Sequence, residues 1–280
     1  MMKKTFLALL GLLMLTGCKT PQTDVPIRVI SYNVRLSAAA ATDKENRWEL
    51  RRDASVKMIN EEEPLIIGLQ EACPDQIAFL DEQLPLYQRI GVGRDDGRAE
   101  GEMMAIYYRK DLLTLDAGGT FWLSETPDSV SQGWDAACKR TCTWALFTHK
   151  ASGRRVAHLN THLDHLGAEA RREGLRLICT KMEELVPADV PVFLTGDFNA
   201  TTGEAIFEPI HARLLDARAV APTSDHSTTF NAFSQDPARA ATIDHIFFRG
   251  AEPLRFAVLR GDYGAPYISD HYPVLLEATF

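Results

Sequence analysis

Apolar runs recur along the whole chain, and several of them end in a polar tip. IRVISYNV (27–34), PLIIGLQE (64–71), MMAIYYR (103–109), VPVFLTGDFN (190–199), TIDHIFF (242–248), FAVLRG (256–261) and HYPVLLEATF (271–280) read as strands. Residues 47–63 repeat at helical spacing, with Trp48, Leu50, Ala54, Met58 and Ile59 expected on the inner face. DQIAFLDEQL (75–84) predicts a short helix and residues 167–186 a longer one. GVGRDDGRAEGE (91–102) reads as a glycine-rich loop. LLTLDAGGTFWL (112–123) suggests a pair of strands, and residues 142–163 a hairpin turning at Ala151-Ser152-Gly153. Strands with helices between some of them predict sheets covered by helices, and the hairpins argue for antiparallel or mixed pairing.

A chain of 280 residues with 45% hydrophobic content suits one large domain. Its net charge of −8 includes no basic stripe of the kind that tracks long nucleic acid. A metal enzyme acting on a small phosphoester stays open, because the cation supplies the positive field. Residues 1–18 have the pattern of an export signal: the basic head MMKK, the apolar TFLALLGLLML, then LTGC. The apolar stretch is short for a membrane span. Leu15-Thr16-Gly17-Cys18 resembles the bacterial lipoprotein cleavage box, in which the cysteine carries lipid and starts the mature chain. The expected organisation is a signal over 1–18, a tether over 19–26 and one domain over 27–280, exported and lipid-anchored in a bacterial cell envelope. An ordinary cleaved signal is the alternative. Export permits disulfides, and Cys138 and Cys142 in CKRTC offer either a pair across a turn or two free thiols. That spacing without a second Cys/His pair does not make a zinc site.

The polar tips supply the candidate chemistry. Glu71 closes an apolar strand and is the leading metal ligand, since Mg²⁺ takes one or two carboxylates with water and phosphate oxygens. Asn33 ends another strand and offers an amide to a metal, a water or a turn. Asp197 and Asn199 would share a face if extended, placing a water and a phosphate oxygen, although the same letters also make an ordinary turn. Asn160, His162 and Asp164 alternate in NTHLDH, with Asn160 and Asp164 expected to touch substrate and His162 to bind phosphate or act as general acid. His165 would point elsewhere unless the strand has ended. Asp270 and His271 precede a buried strand, and Asp244 is suited to fix the tautomer of His271.

As an ordered set, SYNV, LQE, NTHL, GDFN, IDHI and SDHYPV resemble the endonuclease/exonuclease/phosphatase family of metal-dependent phosphoesterases over residues 28–280. The resemblance implies an α/β fold, a four-layered α/β/β/α sandwich of two mixed, mainly antiparallel sheets with outer helices. It implies Asn33, Glu71 and Asp270 at a Mg²⁺ or Mn²⁺ ion, and Asp197 with Asn199 activating water and binding phosphate. It implies Asp244 and His271 as an Asp–His pair, and His162 as a second histidine with Glu102 as its carboxylate partner. GVGRDDG, GEMMAIYYRK, FWLSETP, GWDAACKRTCTW and NTHLDH are similar to the exported bacterial branch. Arg140 falls inside them as a phosphate contact, while Trp122 and Trp144 serve either the core or a substrate platform.

The reading that follows is a metal-dependent phosphoric-ester hydrolase, phosphodiesterase or phosphatase, acting as a monomer on an envelope or extracellular phosphoester such as a small molecule or lipid headgroup. A secreted nuclease on DNA or RNA is the rival within the class. A catalytically silent binding protein on the same fold is the rival outside it, and the presence of Glu71, Asp197, Asn199, Asp244 and His271 argues against silence.

Overall fold

A computed structural model describes residues 24–280; the expected export signal, Cys18 and most of the expected tether lie outside the described residues. In chain order the strands are β1 (Pro26–Asn33), β2 (Ile66–Gln70), β3 (Tyr87–Ile90), β4 (Ile106–Arg109), β5 (Leu113–Trp122), β6 (Thr141–His149), β7 (Arg155–His162), β8 (Val192–Asp197), β9 (Leu215–Asp216), β10 (Thr223–Ser224), β11 (Asp244–Arg249), β12 (Glu252–Val258) and β13 (Val274–Thr279). They form a seven-stranded sheet in the order β10-β12-β13-β1-β2-β4-β3 and a six-stranded sheet in the order β5-β6-β7-β8-β11-β9. Most neighbours are antiparallel; β1–β2, β7–β8 and β10–β12 are parallel. The parallel β1–β2 connection is carried by a helix and β7–β8 by another, as parallel pairing requires a crossover.

Strand periodicity splits the core into layers. Inward residues such as Val29, Ile66, Phe147, Phe193, Phe248 and Leu276 pack between the two sheets. On the outer face of the first sheet, Ile30, Ile67 and Leu69 meet Met58 and Ile59 of the helix Trp48–Glu62 and Leu80 of the helix Pro74–Gln83. On the outer face of the second, Leu159 and Leu194 meet Leu175, Ile178 and Met182 of the helix Ala168–Leu185. The result is the expected four layers, helix, sheet, sheet, helix.

Several details differ from expectation. LLTLDAGGTFWL is one strand, β5, with its register interrupted between Leu115 and Ala117, and not a strand pair. Its glycines serve close packing and not a turn: a Cβ on Gly118 would lie 2.5 Å from Ile90 Cδ1 and 2.8 Å from the Trp144 carbonyl. Leu50 is 53% exposed, and Arg51 takes the buried place beside Trp48. The Arg51 guanidinium donates to the carbonyls of Val34, Arg35, Asn46 and Ile268, so its charge is buried among oxygens that need donors. Cys138 and Cys142 are free thiols, as are Cys73 and Cys179.

Candidate active site

The same strand faces that build the inter-sheet core become polar toward one edge. On β1 the inward series is Val29, Ser31, Asn33; on β8 it is Phe193, Thr195, Asp197; on β11 it is Phe248, Ile246, Asp244. β7 contributes His158, Asn160 and His162. Register then sets the ionisable ends side by side, with Asp197 opposite both His162 and Asp244. Two further groups arrive by breaking the alternation. Gln70 points inward, so Glu71 would face outward if β2 continued; instead Glu71 adopts φ 61°. Asn199, which alternation would already place on the face of Asp197, also has left-handed backbone after β8, with φ 48°. Left-handed backbone in residues other than glycine is strained and is held only by surrounding structure.

Asp197 is the centre. Its Oδ2 accepts from Asn33 Nδ2 at 2.9 Å and lies 3.5 Å from His162 Nε2 and 3.6 Å from His271 Nε2. Its Oδ1 accepts from the Asn199 backbone N–H at 3.0 Å. The other Asn33 amide contact is Glu71 Oε1 at 2.9 Å, and Glu71 Oε2 accepts from the Leu36 N–H at 3.0 Å. His271 Nδ1 sits 2.9 and 3.1 Å from the two oxygens of Asp244. Asn199 Nδ2 lies 3.0 Å from His162 Nε2 and also donates to the Leu163 carbonyl.

Burial and neighbouring charge divide these groups by protonation. Burial opposes the charge on His271, but Asp244 and Asp197 together hold its pKa well above the ordinary imidazole value. Burial pushes His162 well below that value, with Arg140 and His271 adding to the effect. His162 is therefore the neutral imidazole, and its approach to Asp197 is not an ion pair; Nε2 accepts from Asn199 and the buried Nδ1 finds no partner among the described residues. Burial pushes the Asp197 carboxyl up to about 7. It also raises Asp270, to which the negative charge of Glu71 adds.

These groups line a cleft of about 510 Å³ with three arginines in its wall, Arg35, Arg94 and Arg140. Arg35 is held in a fork by Asp43 at 2.9 and 3.1 Å. Arg140 is buried, with Nε 3.3 Å from Asp164 Oδ2 and Nη2 3.0 Å from His165 Nδ1. Phe230 packs edge-on to His271 with ring centres 4.9 Å apart.

Of the residues singled out in the sequence, Asn33, Glu71, His162, Asp197, Asn199, Asp244, Asp270 and His271 come together here. Others do not act as expected. Glu102 lines the cleft but is not the partner of His162; it grips Arg94 through both oxygens at 2.7 and 2.8 Å. Asn160 is fully buried behind the cleft, where its amide joins the two sheets through the Leu69 and Ala105 carbonyls, Gln70 and Thr195. It has no group left for substrate. Asp164 also sits behind the surface, its carboxylate anchored by the Leu166 and Gly167 N–H groups and by Arg140, which keep its pKa well below the usual carboxylate range against the opposing effect of burial. It positions Arg140 and does not reach substrate itself. Trp122 is core, its Nε1 donating to the Arg94 carbonyl, and Trp144 packs under the outer helix. Sequence reasoning missed Arg35, Arg94 and Phe230. Arg35 directly follows SYNV and Arg94 lies in the glycine-rich loop, so adjacency to a motif was the available signal.

The donor set fits a hard divalent cation. Glu71, His162 and Asp197 each place a ligand atom within 4.8 Å of the others. With Asp270 beside them, the site is rich in carboxylate oxygens, which repel one another unless a cation or protons intervene, whereas Asn33, expected as a ligand, turns its amide nitrogen to Glu71 and Asp197 while its Oδ1 accepts from the Arg35 N–H. Asp197, Asp244 and His271 also cluster, but Asp244 is engaged by His271. The group Cys138, Asp164 and His165 is already served by the guanidinium of Arg140.

Residues 30–271 match the Endonuclease/Exonuclease/phosphatase family. An endonuclease/exonuclease/phosphatase from Bacteroides vulgatus is 37% identical with a TM-score of 0.86, covering 91% of this chain and 98% of that one. A mannosyl-6-phosphatase from Bacteroides thetaiotaomicron is 35% identical with a TM-score of 0.85, covering 91% and 100%. An uncharacterized protein of Acanthamoeba polyphaga mimivirus is 25% identical over 271 residues, covering 89% of this chain and 99% of its own length.

Proposed function

The chain belongs to the endonuclease/exonuclease/phosphatase family, and we propose that it is a metal-dependent hydrolase of phosphate monoesters carried by small polyhydroxy molecules. The observation that carries this reading is the convergence of Asn33, His162 and His271 on one oxygen of Asp197, in a cleft walled by three arginines. The relative described as a mannosyl-6-phosphatase supports a monoester over a diester.

Asp197, fixed by Asn33 and the Asn199 N–H, orients the attacking water and takes its proton as oxygen bonds to phosphorus. The imidazolium of His271, held by Asp244, donates to a phosphoryl oxygen and offsets its growing charge. Neutral His162, bonded to Asn199, lines the other side of the cleft, and Arg140 faces the phosphoryl group from the wall. Glu71, with Asp270 beside it and Asn33 orienting it, would hold Mg²⁺ or Mn²⁺, which when bound would neutralise phosphoryl charge and stabilise the departing alkoxide. The P–O bond to the alcohol breaks and inorganic phosphate remains. We also propose that the protein is a monomer anchored in the cell envelope through Cys18, a reading supported by LTGC after an apolar run.

The test is a panel of monoesters, diesters and single-stranded DNA assayed with the purified protein, with chelator and with Mg²⁺ restored. Metal-dependent turnover of monoesters above all else is the expected result. Preference for a diester or for DNA would replace the reading by a phosphodiesterase or a nuclease, and metal binding without turnover by a silent binding protein. Change of Cys18→Ser should release the protein from membranes; unchanged retention and mature mass would reject the anchor.

A further inference from the structure

The central cleft continues past Phe230 into a second cavity of about 500 Å³, with which it shares Arg35, Phe230 and Asp270. We propose that this second cavity is the subsite for the alcohol part of the substrate, that it takes a neutral polyhydroxy group such as a sugar ring, and that Asn46, Phe233 and Arg239 set its specificity. The proposal rests on the monoesterase reading and assigns the residues that choose among monoesters.

Position is the first argument. Phe230 forms the shared wall and packs on His271, so a group attached to phosphorus on that side passes the ring into this cavity. Chemistry is the second. Phe230 and Phe233 are half-buried rings that offer apolar faces to the C–H face of a sugar. Asn46 is half-buried and Arg239 exposed, and neither side chain is bonded to any of the described residues. An amide and a guanidinium are planar groups suited to adjacent hydroxyls. The lining also balances Arg35, Lys44 and Arg239 against Asp43, Glu45 and Asp270, which favours a neutral occupant over a second anion.

The backbone supplies the third argument. Arg35, Lys44, Ala232 and Phe233 all line this cavity with φ between 49° and 56°. Such strain collects where geometry serves a ligand. Here it is held by bonds to the catalytic segment: the N–H groups of Asn231 and Ala232 donate to the Asp270 carbonyl at 2.7 and 3.1 Å. Arg51 lies 5.9 Å from the centre of the Phe233 ring, and Tyr267 packs against its edge. The wall is thus fixed to the segment that delivers His271. A third cavity, which shares Leu36, Arg94 and Glu102 with the central cleft, carries Glu49, Asp75 and Asp95 and does not include Phe230 in its lining.

The experiment compares kcat/KM for a hexose 6-phosphate and for p-nitrophenyl phosphate in the wild type, Arg239→Ala, Asn46→Ala and Asp75→Asn. The hexose-to-nitrophenyl ratio should fall about tenfold or more in the first two variants, the equivalent of one lost hydrogen bond, and stay constant in the third. Titration of hexose 6-phosphate and inorganic phosphate into Asp197→Asn protein, with and without Arg239→Ala, reads the same subsite without turnover. The hexose ester should bind more tightly than phosphate, and Arg239→Ala should remove that surplus. Absence of monoester turnover in the wild type would sink the monoesterase reading alone, since the titration still decides the subsite. Equal loss on both substrates, a surplus untouched by Arg239→Ala, or a ratio that moves only in Asp75→Asn would overturn the proposal.

Discussion

Change of Asp244→Asn tests whether Asp244 and His271 act as one unit. The two residues are 27 apart in the chain, and their contact at 2.9 Å is almost wholly buried. Two unit charges at that separation attract by roughly 5 to 6 kcal/mol at an effective dielectric of about 20. Loss of one partner from a buried pair costs about 3–5 kcal/mol, because the other charge is left uncompensated. Asparagine keeps the shape and one acceptor oxygen but not the charge. If the lost energy is expressed in the transition state, kcat/KM falls by about 10²–10⁴. The imidazolium also loses the main influence that raises its pKa, so the alkaline limb of the rate profile should move to lower pH. Sign matters for stability too. With its folded pKa raised, His271 adds stability that is fully present below the unfolded imidazole value and disappears as pH rises through the folded one. The variant should keep only the smaller part of that increment that Asp197 supplies.

The assay is kcat/KM on the best substrate for wild type, Asp244→Asn, His271→Ala and the double variant, with melting curves to exclude misfolding. His271→Ala should cost more than Asp244→Asn, and adding the second change to the first should cost less than about tenfold further. Losses that multiply through the whole cycle would mean the residues work separately, and the assignment of Asp244 as the positioning residue would be withdrawn.

Three other outcomes follow from the same geometry. Glu71→Ala should lower kcat by about 100-fold or more and weaken the response to Mg²⁺ in a metal titration, since it removes a carboxylate from the candidate donor set; full activity in chelator would reject it. His158 is buried without a charged partner and its pKa is pushed down to about 3, so stability holds above the unfolded value near 6.5 and falls by about 1.4 kcal/mol per pH unit below it. His158→Gln should flatten that part of a denaturation-versus-pH curve by up to roughly 4 kcal/mol near pH 3, and an unchanged slope would contradict the burial argument. Gly68→Ala places a Cβ 2.2 Å from Thr195 Oγ1 and 2.5 Å from Asn160 Oδ1, so chemical denaturation should show a loss of about 1–3 kcal/mol; wild-type stability would show that the sheets separate there at no cost.

The legible part of this site is the part that obeys strand periodicity. His162, Asp197 and Asp244 end apolar runs whose alternation already says which side they face, and register on neighbouring strands does the rest. The same rule explains the misplacement of Asn160. It shares the face of His162 but lies two residues deeper, where the opposing sheet closes over it and Gly68 leaves room for its amide. Depth along a strand is not written in a single strand's pattern. Glu71 shows the opposite case, because alternation alone would send it outward and only its left-handed backbone brings it in. Its resemblance to a family motif located it where periodicity could not.

Residues carried by loops were the least legible, and the reason is physical. Glu102 was expected to pair with His162, yet it meets Arg94, which the glycine-rich loop returns through backbone bonds between Arg94 and Glu102 themselves. Arg51 was passed over in favour of Leu50 because a helical pattern counts a guanidinium as polar and outward. Its place is set by four carbonyls from three separate segments, which exist as a group only after folding. Three of those carbonyls, of Val34, Arg35 and Ile268, belong to the segments that carry Asn33 and His271, so a single buried cation ties the Asn33 side of the cleft to its Asp–His side. The chemistry at phosphorus is therefore fixed by strands, while the walls that surround it are fixed by long-range bonds between loops. The register of Asp197, His162 and Asp244 comes from β7, β8 and β11, whereas the neighbouring cavity wall comes from loop residues within 35–46 and 230–239.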